Sequence, residues 1–466
     1  MITLEKTMTR GKYILAGVLI VFAIAVLWKY LSNPWLWFDE AGQFWISKGL
    51  NHYSPPNSEP QGLWKVIFYN RLANMDPGGF SVLLHFWLMI SNHFVFIRVF
   101  PLLFFIGFAY FFHKNLLVHT RNAYFSFCIA SLLFLYPITL SRMVDVRAYS
   151  MEMMGITWAM YLLQKCEKGN YSPRSLLSLS LCMAFFCTSR YEYVLFAFVI
   201  GIYTFIRIIN TKALLWKRLA VFCFPLLLSV ITIIILTLQF QNPSLEKMSY
   251  LQYLSDSPSL FYERYFLFYL LNTVIVLISY WKKRSMTQLQ VVSLMVSTLI
   301  VILSMMGKYP WDKIRTIAVV IVLLMNLTNE VYQRIHLKKC GYLNDYIKIS
   351  LVIVVWLFLE SSIHYPGGYS IQFYDEYKTA VSQKGSKVMY SDWWFTPSVR
   401  YMYEYGIEKD RAQIDHYPES FRFEIIIDVQ SERKTINLRK QTEADIYLFN
   451  KDSLTELSVI KNIEGQ

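Results

Sequence analysis

Two carboxylates, Asp39 and Glu40, stand side by side in Trp35–Glu40 (WLWFDE). Their neighbours Trp35, Trp37 and Phe38 would partly desolvate them, and desolvation and mutual repulsion both favour the protonated form of a carboxyl group. Such a group can take up a proton near neutral pH or bind a divalent cation. The same pair could also serve as polar punctuation after an apolar helix. Further charges recur along the chain. Asp76 lies in Asn74–Gly79 (NMDPGG), and Arg98 in Ile97–Pro101 (IRVFP). Arg142, Asp145 and Arg147 lie in Ser141–Tyr149 (SRMVDVRAY), and Arg190 and Glu192 in the turn Ser189–Tyr193. Lys308, Tyr309, Asp312 and Arg315 fall in Gly307–Arg315 (GKYPWDKIR). Guanidinium groups chelate phosphate bidentately, so this set predicts an anionic ligand. The competing reading is pairing within the set or with lipid headgroups, and Arg142 with Asp145 is a ready i,i+3 pair. Glu152 lies within an apolar stretch, where a carboxylate needs a partner, and Arg142 or Arg147 would supply one.

Other chemistries lack their residues. His85 and His93 have no Cys or carboxylate pattern around them and read as headgroup-level polar residues. No phosphate-cradling glycine loop or nucleophile elbow occurs, so any reaction must draw on an activated substrate.

The elements that would position these residues are membrane spans. The chain has 466 residues, 55% of them hydrophobic, with a mean hydropathy of +0.34, too apolar for an ordinary soluble protein. A bilayer core of about 30 Å needs about 20 apolar residues per helix. That length picks out 12–31, 94–113, 122–141, 148–164, 175–190, 192–209, 217–240, 263–281, 286–306, 314–331 and 344–363. About eleven spans place the termini on opposite sides of the membrane. Lys and Arg recur at His113–Lys114…Arg121, Lys165–Lys168…Arg174, Arg207…Lys217–Arg218, Lys282–Lys283–Arg284 and Arg334…Lys338–Lys339. These clusters all fall on one face, which the positive-inside rule makes cytoplasmic, together with Lys6, Arg10 and Lys12. The formal charge of +13 is therefore read as topology rather than as nucleic-acid binding. The first span, with no small-residue cleavage site before Trp35, reads as an uncleaved anchor.

Two regions then face outward. The first, 32–93, carries two apolar helices short for spanning, Gly62–Leu72 and Phe80–Phe94, which read as interfacial. The second, 364–466, shows strand-like runs at Lys387–Trp394, Glu424–Val429 and Asp445–Phe449, with helical stretches such as Val399–Tyr405 between them. It predicts a small soluble α/β domain outside the cytoplasm, following a membrane domain over 1–363. Cys128, Cys166, Cys182, Cys187, Cys223 and Cys340 all fall in apolar segments or cytoplasmic loops, with no metal or disulfide spacing.

In the order of these features the chain resembles the GT-C superfamily of membrane glycosyltransferases, of the kind related to protein O-mannosyltransferases and aminoarabinose transferases. The resemblance rests on the aromatic-flanked Asp39–Glu40 after the first span and the helix containing Leu83–Leu88 (LLHFWL). Arg98 opening the second span, the Arg-x-Tyr at Arg147–Tyr149 and the turn Thr188–Tyr193 (TSRYEY) complete it. It covers the first two hundred residues by motif and the remainder by architecture. The family's His-Pro-Pro turn reads Asp76–Pro77–Gly78 here, and its late Arg-Tyr element is matched only by Arg315–Thr316, leaving Lys308 and Tyr309 as the phosphate contacts.

The resemblance implies inverting transfer of a sugar from a polyprenyl-phosphate-sugar donor to a hydroxyl of a lipid, glycan or protein. The reaction would take place on the periplasmic or luminal face, in a protein of a bacterial inner membrane with its N-terminus in the cytoplasm. It implies Asp39 as base, directly or through a divalent cation, with Glu40 orienting it. Asp76, Arg98, Arg142, Arg147, Tyr149, Arg190, Lys308, Tyr309 and Arg315 would then bind substrate. Asp392–Trp393–Trp394 would offer an aromatic platform for the acceptor. A transporter or flippase of lipid-linked sugars is the rival reading, but it predicts internal repeats and midplane charges. An O-antigen polymerase-like protein would need a large late outer loop.

Overall fold

A computed structural model describes residues 2–51, 58–73, 76–211, 215–237, most of 272–281, 286–305, 317–334, 343–360, 387–391, 396–405, 445–449 and 454–456. The chain is dominated by helices, and it divides into two units, one of 1–28, 71–80 and 101–364, the other of 29–70, 81–100 and 365–466. The helices are α1 (Ile2–Leu31), α2 (Phe38–Ser47), α3 (Leu63–Ala73), α4 (Gly79–Leu88) and α5 (Phe94–Thr120). Then come α6 (Ala123–Leu132), α7 (Pro137–Met143), α8 (Tyr149–Lys168), α9 (Pro173–Phe186), α10 (Tyr191–Thr211) and α11 (Leu215–Leu236). After them follow α12 (Gln288–Met305), α13 (Ile317–Arg334), α14 (Leu343–Glu360) and α15 (Thr396–Tyr405).

Among the described residues, three helices are long and apolar enough to cross a membrane: α5, α10 over Tyr191–Asn210, and α11. On α11 only Arg218, Phe222 and Ile233 are buried, while Trp216, Phe224, Leu227, Leu228, Ile231 and Ile235 stand exposed. Such an apolar face suits hydrocarbon rather than water. Helix α4 has ten residues, about 15 Å at 1.5 Å per residue, which is half of what a bilayer core requires.

In the first unit α9 packs between α8 and α11, while α13 touches α8, α12 and α14. Every residue of α13 from Val320 to Glu330 is buried, as expected of a helix surrounded by others. Two of its polar members, Asn326 and Glu330, are hydrogen-bonded across helices. Asn326 donates to Asn272 Oδ1 at 2.9 Å, Ser293 donates to the same oxygen at 2.9 Å, and Gln290 donates to Glu330 at 2.6 Å. Where no water competes, such bonds hold helices together.

The expected span 122–141 is two helices rather than one. Pro137 lacks the N–H that would continue the hydrogen-bond ladder and holds Tyr136 extended, so α6 ends and α7 restarts with Pro137 in its first turn. Thr139 Oγ1 donates to the Tyr136 carbonyl at 2.9 Å, satisfying one group the break leaves over. Helix α5 runs longer than the expected 94–113, ending where Arg121 takes a left-handed φ of 53°. The five described cysteines are free thiols, and Cys340 lies outside the described residues.

In the second unit the aromatic face of α2 meets α15: Phe44 packs edge-on to Tyr401 at 5.0 Å, and Trp45 Nε1 donates to the Pro397 carbonyl at 3.0 Å. A three-stranded sheet is built from β1 (Lys387–Ser391), β2 (Asp445–Phe449) and β3 (Leu454–Glu456). Strands β1 and β2 are parallel, with Met389 opposite Tyr447, and β3 runs antiparallel to β2. A parallel pair requires a crossover, and α15 lies in the chain between its two strands. The expected strand at Glu424–Val429 lies outside the described residues.

A Cβ on Gly155 of α8 would sit 2.6 Å from Phe186 of α9, whereas one on Gly201 of α10 would meet nothing within 4 Å. Gly155→Ala should therefore destabilise the protein by about 1–3 kcal/mol through overpacking. Gly201→Ala should be neutral or stabilising by up to about 1 kcal/mol through helix propensity. Thermal unfolding in detergent reads both, and equal shifts would refute the close α8–α9 contact.

Candidate functional site

The expected residues fall into two separate clusters, one in each unit. In the second unit α2 begins at Phe38, which places Asp39 and Glu40 in a helical first turn, where backbone N–H groups favour carboxylates. Successive helical side chains point about 100° apart, so the two carboxylates diverge instead of acting as a pair. Glu40 is buried, and its Oε2 accepts from the Trp37 N–H at 3.1 Å. Its carboxylate grips Arg98 on both sides, with Oε1 at 2.7 Å from Nη1 and Oε2 at 3.1 Å from Nη2. Arg98 also donates to the carbonyls of Asn33 at 3.1 Å and Trp35 at 2.7 Å. Four hydrogen bonds thus tie its guanidinium to the chain that carries Asp39. Arg98 thereby positions the loop and the start of α2. Asp39 remains half-buried beside this clasp.

The second cluster, in the first unit, centres on Arg190 and Tyr149. Arg190 lies 3.3 Å from Glu152, 3.3 Å from Glu192 and 3.4 Å from Asp76. Its guanidinium stands 4.1 Å from the centre of the Tyr149 ring. Arg142 sits 4.0 Å and Arg147 4.9 Å from the same ring, and Arg142 pairs with Asp145 at 2.7 Å. Three guanidinium groups surround one aromatic ring, an arrangement that cation–π attraction supports only when carboxylates offset their mutual repulsion. The partner of Glu152 is Arg190, neither Arg142 nor Arg147 as the sequence suggested. Glu152 is wholly buried, and its Oε1, like Asp145 Oδ1, has no hydrogen-bond donor among the described residues.

What brings Asp76 to Arg190 is a backbone latch. The Gly79 N–H donates to the Thr188 carbonyl at 2.8 Å, joining the NMDPGG turn to the TSRYEY turn. A Cβ on Gly79 would collide with the Thr188 side chain, so only glycine permits this approach. Asp76, Arg142, Arg147, Tyr149 and Arg190, expected as one set from their sidedness, are brought together. Asp39, Glu40 and Arg98 belong to the other unit. Lys308, Tyr309 and Arg315 lie outside the described residues, as do Asp392–Trp394.

Among the described residues no group of three or more His, Cys, Asp or Glu is placed to hold a metal ion. Sequence reasoning missed a third cluster, in the second unit: Lys48, Arg400 and Glu404 around Trp45 and Tyr405. The i,i+4 spacing of Arg400 and Glu404 was readable as a helical pair, but nothing in the sequence placed Lys48 beside it.

Arg98→Met should destabilise the protein by about 3–5 kcal/mol, because it strands the buried Glu40 carboxylate. The double variant Arg98→Met/Glu40→Leu should recover part of that loss, read as melting temperature in detergent. Loss of stability that simply adds in the double variant would show that the two side chains do not depend on each other. Gly79→Ala should lower the melting temperature too, whereas Gly62→Ala, whose added methyl meets nothing within 4 Å, should not. No protein-family model matches this chain, and no curated protein matches it in sequence, so functional assignment rests on the geometry and the residues themselves.

Proposed function

We propose that the chain is an inverting glycosyltransferase of the membrane. It would take a sugar from a polyprenyl-phosphate donor and pass it to a hydroxyl acceptor on the extracytoplasmic face. In this reading the spans number about eleven and the C-terminal residues form a soluble α/β domain. The observation that carries it is the gathering of Arg142, Arg147 and Arg190 on the Tyr149 ring. Arginine is disfavoured in outward-facing turns, and a lipid-linked phosphate gives such a cluster a purpose.

Asp39 accepts the acceptor's hydroxyl proton as the oxygen attacks the anomeric carbon. The bond from that carbon to the phosphate oxygen breaks, the configuration inverts, and the lipid phosphate leaves as an anion. Arg147, the most exposed of the three guanidiniums, meets the charge that develops on it. Arg142 and Arg190 hold the surrounding carboxylates in place. Lys308 and Tyr309 contribute further phosphate contacts in this scheme. Glu40 and Arg98 fix the turn that presents Asp39, acting as positioning residues.

Sugar transfer from a labelled polyprenyl-phosphate-sugar pool should be followed in membranes that carry each variant at equal abundance. Asp39→Asn should abolish transfer, and Arg147→Met should lower it about 10²–10³-fold, the scale seen on removing one donor to a developing anion. Undiminished transfer by Asp39→Asn would remove it as the base. Inactivity of the wild type with every donor would favour a flippase of lipid-linked sugars.

A further inference from the structure

We propose that Lys48 and Arg400 form a binding site for a monoanionic oxyanion, a carboxylate or a phosphodiester, separate from the glycosyl-transfer residues. Both residues lie in the second unit, where α2 and α15 pack together. Arg400 is 1% exposed and stacks on Trp45, with its guanidinium 3.7 Å from the ring centre. Its Nε donates to Glu404 Oε1 at 2.8 Å, and its Nη1 donates to the Asn51 carbonyl at 3.2 Å. The remaining terminal nitrogen, Nη2, is buried with no hydrogen-bond partner among the described residues. An unfilled donor on a buried charged group is costly, so its survival needs a reason.

The second cation lies on the neighbouring aromatic rings, within electrostatic reach of the same carboxylate. Lys48 is 6% exposed, and its Nζ lies 3.4 Å from Tyr405 Oη and 5.0 Å from the centre of that ring. Glu404 is the acidic group that acts on Lys48 and is also the partner of Arg400. Two buried cations thus share one carboxylate, an excess of about one positive charge in a medium that penalises uncompensated charge. One negative charge balances it. A monoanion does so without overshoot, whereas a dianionic phosphate would leave a new excess. The ammonium has N–H groups left after Tyr405, and Nη2 has its own, so an oxyanion can take charge-assisted bonds from both. Packing alone would explain the stacking on Trp45 but not the empty Nη2.

The test uses the full chain in phosphatidylcholine nanodiscs, titrated calorimetrically with methyl glucuronide and with dimethyl phosphate, in the absence of any sugar donor. At least one should bind the wild type, with affinity falling about tenfold or more in Lys48→Met, the loss of one hydrogen bond to a charged group. Lys48→Arg should retain binding. Binding of methyl glucuronide alone would identify a glycan carboxylate as the source. Binding of dimethyl phosphate, competed by phosphatidylglycerol doped into the nanodisc, would identify a lipid headgroup. Burial, opposed by Glu404, holds the Lys48 ammonium down to about 8, so wild-type affinity should fall as pH rises through that value. The Lys48→Arg profile should stay flat across the same range. Absence of binding by either probe, or equal affinity in the wild type and Lys48→Met, would overturn the proposal. Neither result bears on the role of Asp39, because no transfer is measured.

Discussion

Buried charge without water is the constraint on which the rest of this structure depends. A guanidinium or carboxylate removed from solvent must find an opposite charge or lose several kcal/mol. In this chain those obligations fall on turns and on the N-terminal turns of the helices that follow them. Glu40 and Arg98 lie 58 positions apart in sequence, and their bidentate pair, with the Asn33 and Trp35 carbonyls, fixes the chain entering α2. Arg190 does the same for the first unit, drawing Asp76, Glu152 and Glu192 from three different segments. Apolar packing among the helices is interchangeable in a lipid environment, since hydrocarbon suits Leu as well as a neighbouring helix does. Ion clusters are not interchangeable, and they set which turns meet.

The two clusters solve the same problem differently. Glu40 and Arg98 form a nearly closed account of donors and acceptors, so the pair is rigid. The Arg190 cluster is open: among the described residues Glu152 and Asp145 each keep one buried oxygen without a donor, and three guanidiniums crowd one ring. Closed sites hold a backbone in place, whereas open sites are where a ligand can gain by completing the set.

Most helices were legible because apolar runs of spanning length have few alternatives. Their ends were less so. The break before Pro137 was readable from proline's missing donor, yet the hydropathy of 122–141 masked it. Helix α2 was not foreseen, because Phe38–Ser47 mixes acidic, small and aromatic residues that local pattern reads as loop. Its formation depends on Phe44 and Trp45 finding Tyr401 and Pro397, some 350 residues away. The charged turns were legible as a set, since sidedness groups them. Their pairing was not. Glu152 pairs with Arg190 instead of the closer-in-sequence Arg147 because α9 packs on α8 at Gly155 and sets the turn that follows it beside Glu152, a close approach that leaves no mark in the sequence beyond a glycine.

The charge count also bears on how an anion could use the Tyr149 cluster. Arg142, Arg147 and Arg190 stand with Asp76, Asp145, Glu152 and Glu192, so the carboxyl groups outnumber the guanidiniums. An incoming phosphate cannot simply add to such a set without raising its repulsion. It must displace a carboxylate or approach where positive charge is least shielded. Arg190 is ringed by three acids and Arg142 is held at 2.7 Å by Asp145, so displacing either would strand a buried carboxylate. Arg147 is the most exposed of the three, and a phosphate reaching it leaves those buried pairs intact. In the proposed reaction the acids around Arg190 would then act as selectivity elements, holding the cluster together through their ion pairs and confining a phosphate to its outer edge.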